Sequence, residues 1–113
     1  MRQEFLSLLA IAAILAACTT TEEPAYVGDP ETGRQVAQNL CASCHAIGAD
    51  GDGPNAGAPP FRYVLANYNP DRLAKDLDLS VSISHLRMPT FYFGEHHAED
   101  LVAYLKTIQQ PPP

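Results

Sequence analysis

The sequence predicts an all-α domain of four short helices joined by long loops. Three observations carry this prediction. Apolar residues recur at helical spacing in four stretches. Asp-Pro and Asn-Pro pairs, which suit helix entry, open two of them. No run alternates apolar and polar residues as a half-buried strand would.

The first helix opens at Asp29-Pro30. Aspartate accepts hydrogen bonds from the free N–H groups of a first turn, and proline has the φ that position N1 needs. Val36 and Leu40 form an i,i+4 pair with Gly33 and Ala37 alongside, and the stretch runs into Cys41. The second helix carries Phe61, Val64, Leu65 and Tyr68 at i, i+3, i+4, i+7. The third enters through Asn69-Pro70 and carries Leu73 and Leu77. The fourth carries Leu101, Tyr104, Leu105 and Ile108, and stops where Gln109-Gln110 meets three prolines. Its start has no readable cap, because Glu95-His96-His97 offers no Ser, Thr, Asp or Asn. Between the first and second helices lies a loop, Ala46 to Pro60, rich in Gly, Pro, Asp and Asn. A loop that long needs support.

With 113 residues the chain has room for one small domain. The apolar share is 46%, but residues 1–17 hold thirteen of those residues, and the other 96 are about 41% apolar. That is thin for a core of this size, so something besides side chains is expected to fill the middle. The net charge is −6, which argues against nucleic-acid binding, where Lys and Arg must replace counterions.

Residues 1–17 read as a signal peptide. Phe5 to Ala17 is almost wholly apolar, yet as a helix it reaches only ~20 Å, short of a bilayer core. Leu15-Ala16-Ala17-Cys18 resembles the bacterial lipobox, in which the cysteine receives a diacylglyceryl group and becomes the N-terminus. Ordinary cleavage with Cys18 a bystander is the alternative. Residues 18–28 then form a lipid-anchored tether, 29–110 the folded domain and 111–113 a proline tail. The expected place is the periplasmic side of a membrane, with Thr19 after the cysteine leaning towards the outer membrane.

The decisive string is Cys41-Ala42-Ser43-Cys44-His45, the C-x-x-C-H pattern of c-type haem attachment. Two thiols three apart at the end of a helix can reach both vinyl groups of one porphyrin and form thioethers. The next residue, His45, then aims its imidazole at the iron. A thioredoxin-like dithiol would need a βαβ setting. A Cys41–Cys44 disulfide would close too short a loop to stabilise much. A zinc site would want a second ligand cluster.

Residues 18–113 contain one methionine, Met88, in Arg87-Met88-Pro89, 43 residues after His45. A lone methionine is ordinarily a core gap-filler. Here the following proline stiffens the loop and favours Met88 as the second axial ligand. His85, His96 and His97 are competitors, His85 the most credible. A His/Met pair raises the potential and saturates the iron, which suits electron transfer. Arg62 and Arg87 could pair with haem propionates, although a solvated surface role suits Arg62 better. Phe61, Phe91, Tyr92 and Phe93 read as haem-pocket packing. Asp50, Asp52, Asp71, Asp76 and Asp78 read as a solvated face that could steer a basic partner.

Asp29 to Gln109 resembles the class I bacterial c-type cytochromes, small monohaem proteins. The residues that carry the resemblance are Gly33 and Ala37 of the first helix, Cys41 to Gly48, Ala58-Pro59-Pro60-Phe61, Arg87 to Phe91, and Leu101 to Leu105. The resemblance implies helices wrapped around one covalent haem c. It implies that the first and last helices cross at a small residue and an aromatic, roles that Gly33 and Tyr104 match. It also implies a proline whose carbonyl accepts the N–H of the proximal histidine. Pro59 matches best, with Pro60 and Pro54 as alternates. The function implied is a membrane-tethered, monomeric electron carrier that is not an enzyme and exchanges electrons with a protein donor and acceptor. An electron-entry subunit of a larger exported oxidoreductase would use the same site. A sensor or peroxidase would need an open iron position.

Overall fold

The computed structural model describes residues 22–79 and 88–113. Residues 1–17, Cys18, His85 and Arg87 lie outside them. Four helices are present among the described residues: α1 (Pro30–Leu40), a 3₁₀ helix (Phe61–Ala66), α2 (Pro70–Asp78) and α3 (His97–Ile108). No strand occurs among the described residues, so the fold is all-α.

Both proline entries behave as expected. The Asp29 carboxylate accepts the Thr32 N–H at 2.6 Å. The Asn69 carbonyl oxygen accepts the N–H groups of Asp71 and Arg72 at 3.0 and 3.1 Å. Each cap satisfies donors that a first helical turn leaves free.

The second helix departs from its α-helical spacing. Only Phe61–Ala66 is helical, and it is 3₁₀. The Asn69-Pro70 entry bounds it, because Asn69 precedes a proline and is extended. The start of α3 also has its reason. His96 caps it in the left-handed region at φ 66° without a side-chain bond. Its ring stacks on Tyr26 at 4.0 Å between centroids. A non-glycine residue pays for that conformation, and the stack helps to hold it.

The main packing is α1 on α3, with α2 also against α3. Val36, Ala37, Leu101, Val102, Tyr104 and Leu105 are buried there. At the crossing, Gly33 lies directly against the Asp100 carbonyl oxygen, where a Cβ would collide. Gly33 thus sits at the helix crossing, where the family resemblance places it, and Tyr104 is buried further along α3 with its hydroxyl bonded to the Ile47 carbonyl.

Two residues of the 18–28 segment, Tyr26 and Gly28, rest on α3. The Tyr26 hydroxyl donates to the Asp100 carboxylate at 2.7 Å. The Asp29 N–H donates to the same oxygen at 2.7 Å. Gly28, at φ 81°, packs so closely on the Glu99 carbonyl that a side chain would not fit. Asp100 is 3% exposed, and these two donors compensate its burial.

Candidate haem site

Helix α1 delivers the motif. Its last turn continues through Cys41, whose N–H donates to the Ala37 carbonyl at 2.9 Å. The Cys44 and His45 N–H groups both donate to the Cys41 carbonyl, at 3.1 and 2.9 Å. The backbone therefore makes one more turn after the helix. That turn places Cys44 and His45 next to Cys41.

The long loop folds back onto this turn. The Asn55 N–H donates to the Cys44 carbonyl at 3.2 Å, and the Phe61 N–H to the Ala46 carbonyl at 2.9 Å. Gly53 lies against the backbone of His45 and Ala46 where no Cβ could stand. The imidazole Nδ1 of His45 lies 2.7 Å from the Pro59 carbonyl oxygen. That acceptor selects the tautomer with the proton on Nδ1 and leaves Nε2 free to ligate. The Phe61 ring is 5.1 Å from the imidazole, tilted by 46°.

The turn opens on an apolar cleft of about 590 Å³. Its walls come from the motif (Cys41, His45), the 3₁₀ region (Phe61, Val64, Tyr68), α2 (Leu73, Leu77), the 88–93 segment (Met88, Phe91, Phe93) and α3 (Leu101, Leu105). A second cleft of about 430 Å³ shares Cys41, His45, Met88 and Phe91 and adds Cys44, Asn55 and Pro89. The residues present fit a haem on three counts. The walls of the first cleft are almost purely apolar, a histidine and a methionine border it together with Cys41, and Cys44 lines the adjoining second cleft.

The rival chemistries fit less well. Burial pushes the Cys41 thiol up to about 11. A redox dithiol needs the opposite shift, towards thiolate. Among the described residues, no three or more His, Cys, Asp or Glu side chains gather to hold a metal ion.

Several sequence readings change in detail. Phe61, Phe91 and Phe93 border the cleft, but Tyr92 is 91% exposed. Arg62 is half-exposed; it donates to the Gly51 carbonyl at 2.8 Å and covers the Tyr63 ring at 4.9 Å. Asp50, Asp52, Asp71 and Asp78 are exposed as expected, while Asp76 is partly covered and pairs with Arg72 at 3.3 Å. Gly53, Asp100, Gln109 and Gln110 were not legible as important. A glycine in a loop, an acid in a helix and two terminal glutamines have no local signature.

An all-α shell that holds an apolar cleft beside a C-x-x-C-H turn defines a protein built to carry a covalently attached haem. A family model described as cytochrome c matches residues 30–109, and the chain belongs to that family. It is 28% identical over 104 residues to a cytochrome c-552 of Bradyrhizobium diazoefficiens, which covers 92% of this chain and 97% of that protein. No solved structure matches the chain. The cofactor is accordingly haem c, covalently attached, and Cys41 and Cys44 are consistent with its attachment motif. Electron transfer through redox partner proteins is the family's business. Among the described residues no helix is long and apolar enough to cross a membrane.

Proposed function

We propose that this chain is a single-haem electron carrier without a substrate of its own, held outside the cytoplasm by a lipid on Cys18. One observation carries the reading: Cys41, His45 and Met88 border one apolar cleft, and the His45 Nδ1 is 2.7 Å from the Pro59 carbonyl. Haem c, when bound, supplies a one-electron Fe(III)/Fe(II) couple.

The chain's residues do the rest. Cys41 and Cys44 hold the porphyrin by thioethers. His45 and Met88 ligate the iron. The Pro59 carbonyl orients His45 and increases its donor strength. The apolar walls exclude water, which together with the thioether favours the reduced state. The signal peptide of residues 1–17 and the Cys18 lipid bring the domain to the periplasmic side of a membrane. Stable anchoring needs more than one acyl chain, and a triacylated cysteine provides it. The protein acts as a monomer. Its charge of −6 suits a donor or acceptor with a basic docking face.

The oxidised holoprotein is expected to show the weak near-infrared band of iron–thioether ligation, and Met88→Ala to abolish it. A wild-type holoprotein without that band overturns the Met88 assignment. Cys18→Ser is expected to release the protein from membranes, and its retention there overturns the anchor.

A further inference from the structure

The C-terminal end of α3 makes a set of bonds that haem attachment by itself does not require. The Gln109 carboxamide is inserted into the backbone of the 3₁₀ helix. Its Oε1 accepts the Leu65 N–H at 3.0 Å, and its Nε2 donates to the Phe61 carbonyl at 2.8 Å. The same Nε2 donates to the Leu105 carbonyl at 2.9 Å, within α3 itself. Phe61 C=O and Leu65 N–H are the i,i+4 pair that an α-turn would join. The side chain takes the place of that bond and ties the segment to α3.

Two neighbours add to this. Gln110 donates through its N–H to the Arg62 carbonyl and through its Nε2 to the Ala49 carbonyl, both at 2.8 Å. The Tyr104 hydroxyl donates to the Ile47 carbonyl at 2.9 Å. Apart from the Leu105 bond, these contacts land on two short segments. Ile47 and Ala49 follow His45, and Phe61, Arg62 and Leu65 follow Pro59. They are the two ends of the 46–60 loop, across which His45 meets Pro59.

We propose that Gln109 is a positioning residue for the axial histidine: with Gln110 and Tyr104 it clamps both ends of the loop to α3 and so sets the His45–Pro59 separation, and with it the reduction potential. The inference rests on His45 being an iron ligand, as proposed above. A carbonyl that accepts the imidazole N–H makes the ring a stronger donor and favours Fe(III). Hydrogen bonds weaken steeply as they bend, so a small drift of the 3₁₀ helix changes that donation. Without the clamp, the loop ends still share the Phe61–Ala46 bond, and the fold can persist with a looser His45.

The test uses the holoprotein. Gln109→Leu removes the carboxamide bonds of the clamp at similar volume. Asp29→Ala, which removes the α1 cap and touches neither cleft nor loop, is the comparison for plain destabilisation. Gln109→Leu is expected to raise the reduction potential, with several-fold more Fe(II) at a given poise, and to speed exchange of the His45 Nδ1–H and Leu65 N–H. Asp29→Ala is expected to lower Tm and leave potential and both protons as in wild type. A Gln109→Leu protein with lowered Tm but unchanged potential overturns the proposal, as does an equal potential shift in both variants. If Gln109→Leu yields no folded holoprotein, the wild type decides. Leu65 N–H protection equal to that of the α3 core amides upholds the clamp, and exchange at the rate of exposed loop amides overturns it. Failure of the ligation reading looks different: the wild type then lacks a low-spin spectrum with nitrogen ligation, whereas failure of the clamp alone leaves that spectrum intact.

Discussion

Gly33 shows how much one residue decides in this protein. Its missing side chain lets α1 lie directly on the Asp100 carbonyl of α3. Any Cβ there meets backbone atoms, which cannot swing aside. Gly33→Ala is therefore expected to cost about 1–3 kcal/mol of holoprotein stability, the usual range for overpacking, read as a lower urea midpoint. Unchanged midpoints would show that the helices slide apart freely. Gly53 is placed similarly, against the His45 and Ala46 backbone, so its replacement disturbs the haem turn rather than the helix crossing.

Among the elements, the start of α1 and the strap before it are expected to respond to pH. The Asp29 carboxyl is held below its usual value chiefly by the Thr32 N–H it accepts. Glu31 is held low chiefly by its hydrogen bond with Arg34. A depressed carboxylate contributes stability that is present above its unfolded value and lost as pH falls through the folded one. Acid is thus expected to fray α1 below about pH 4, and Asp29→Asn, which keeps a capping oxygen, to flatten that part of the profile. Tyr26 behaves in the opposite sense. Its hydroxyl is raised, first by the hydrogen bond to Asp100 and then by burial. That contribution is present below pH 10 and lost as pH rises through the raised value. Tyr26→Phe is expected to remove the alkaline loss, seen by amide exchange at the start of α3. A Phe variant with an unaltered alkaline limb would count against the strap.

For the whole molecule, the core and the cleft share their side chains. Phe61, Leu73, Leu77, Leu101 and Leu105 are buried, and each also lines the apolar cleft. Roughly 80 residues lie near the size at which one core barely suffices. Haem c therefore belongs to the core, and a chain in which Cys41 and Cys44 are both replaced by serine, made without haem, is expected to lack a cooperative melt. A sharp, native-like transition would contradict this. The net charge of −6 acts over the same scale. Association with a basic redox partner is expected to slow as ionic strength rises, by stopped-flow measurement, with dissociation nearly constant. A rate indifferent to salt would exclude electrostatic steering.

What the sequence by itself determined was mostly local. The Asp-Pro and Asn-Pro entries work because a cap and its recipients are within three residues of each other. The C-x-x-C-H string is legible because one backbone turn brings its three groups together. The His45–Pro59 contact was legible only through family resemblance, since fourteen residues separate the pair. Tertiary structure alone decided the remainder. It made the second helix 3₁₀, with Gln109 supplying the i,i+4 partners from 44 and 48 residues away. It seated Tyr26 on Asp100, turned Tyr92 outward and put Arg62 on Gly51. None of these has a sequence signature, because each depends on where a distant backbone group arrives after the helices have packed. Local chemistry marks the attachment motif, and packing brings the Pro59 carbonyl to His45.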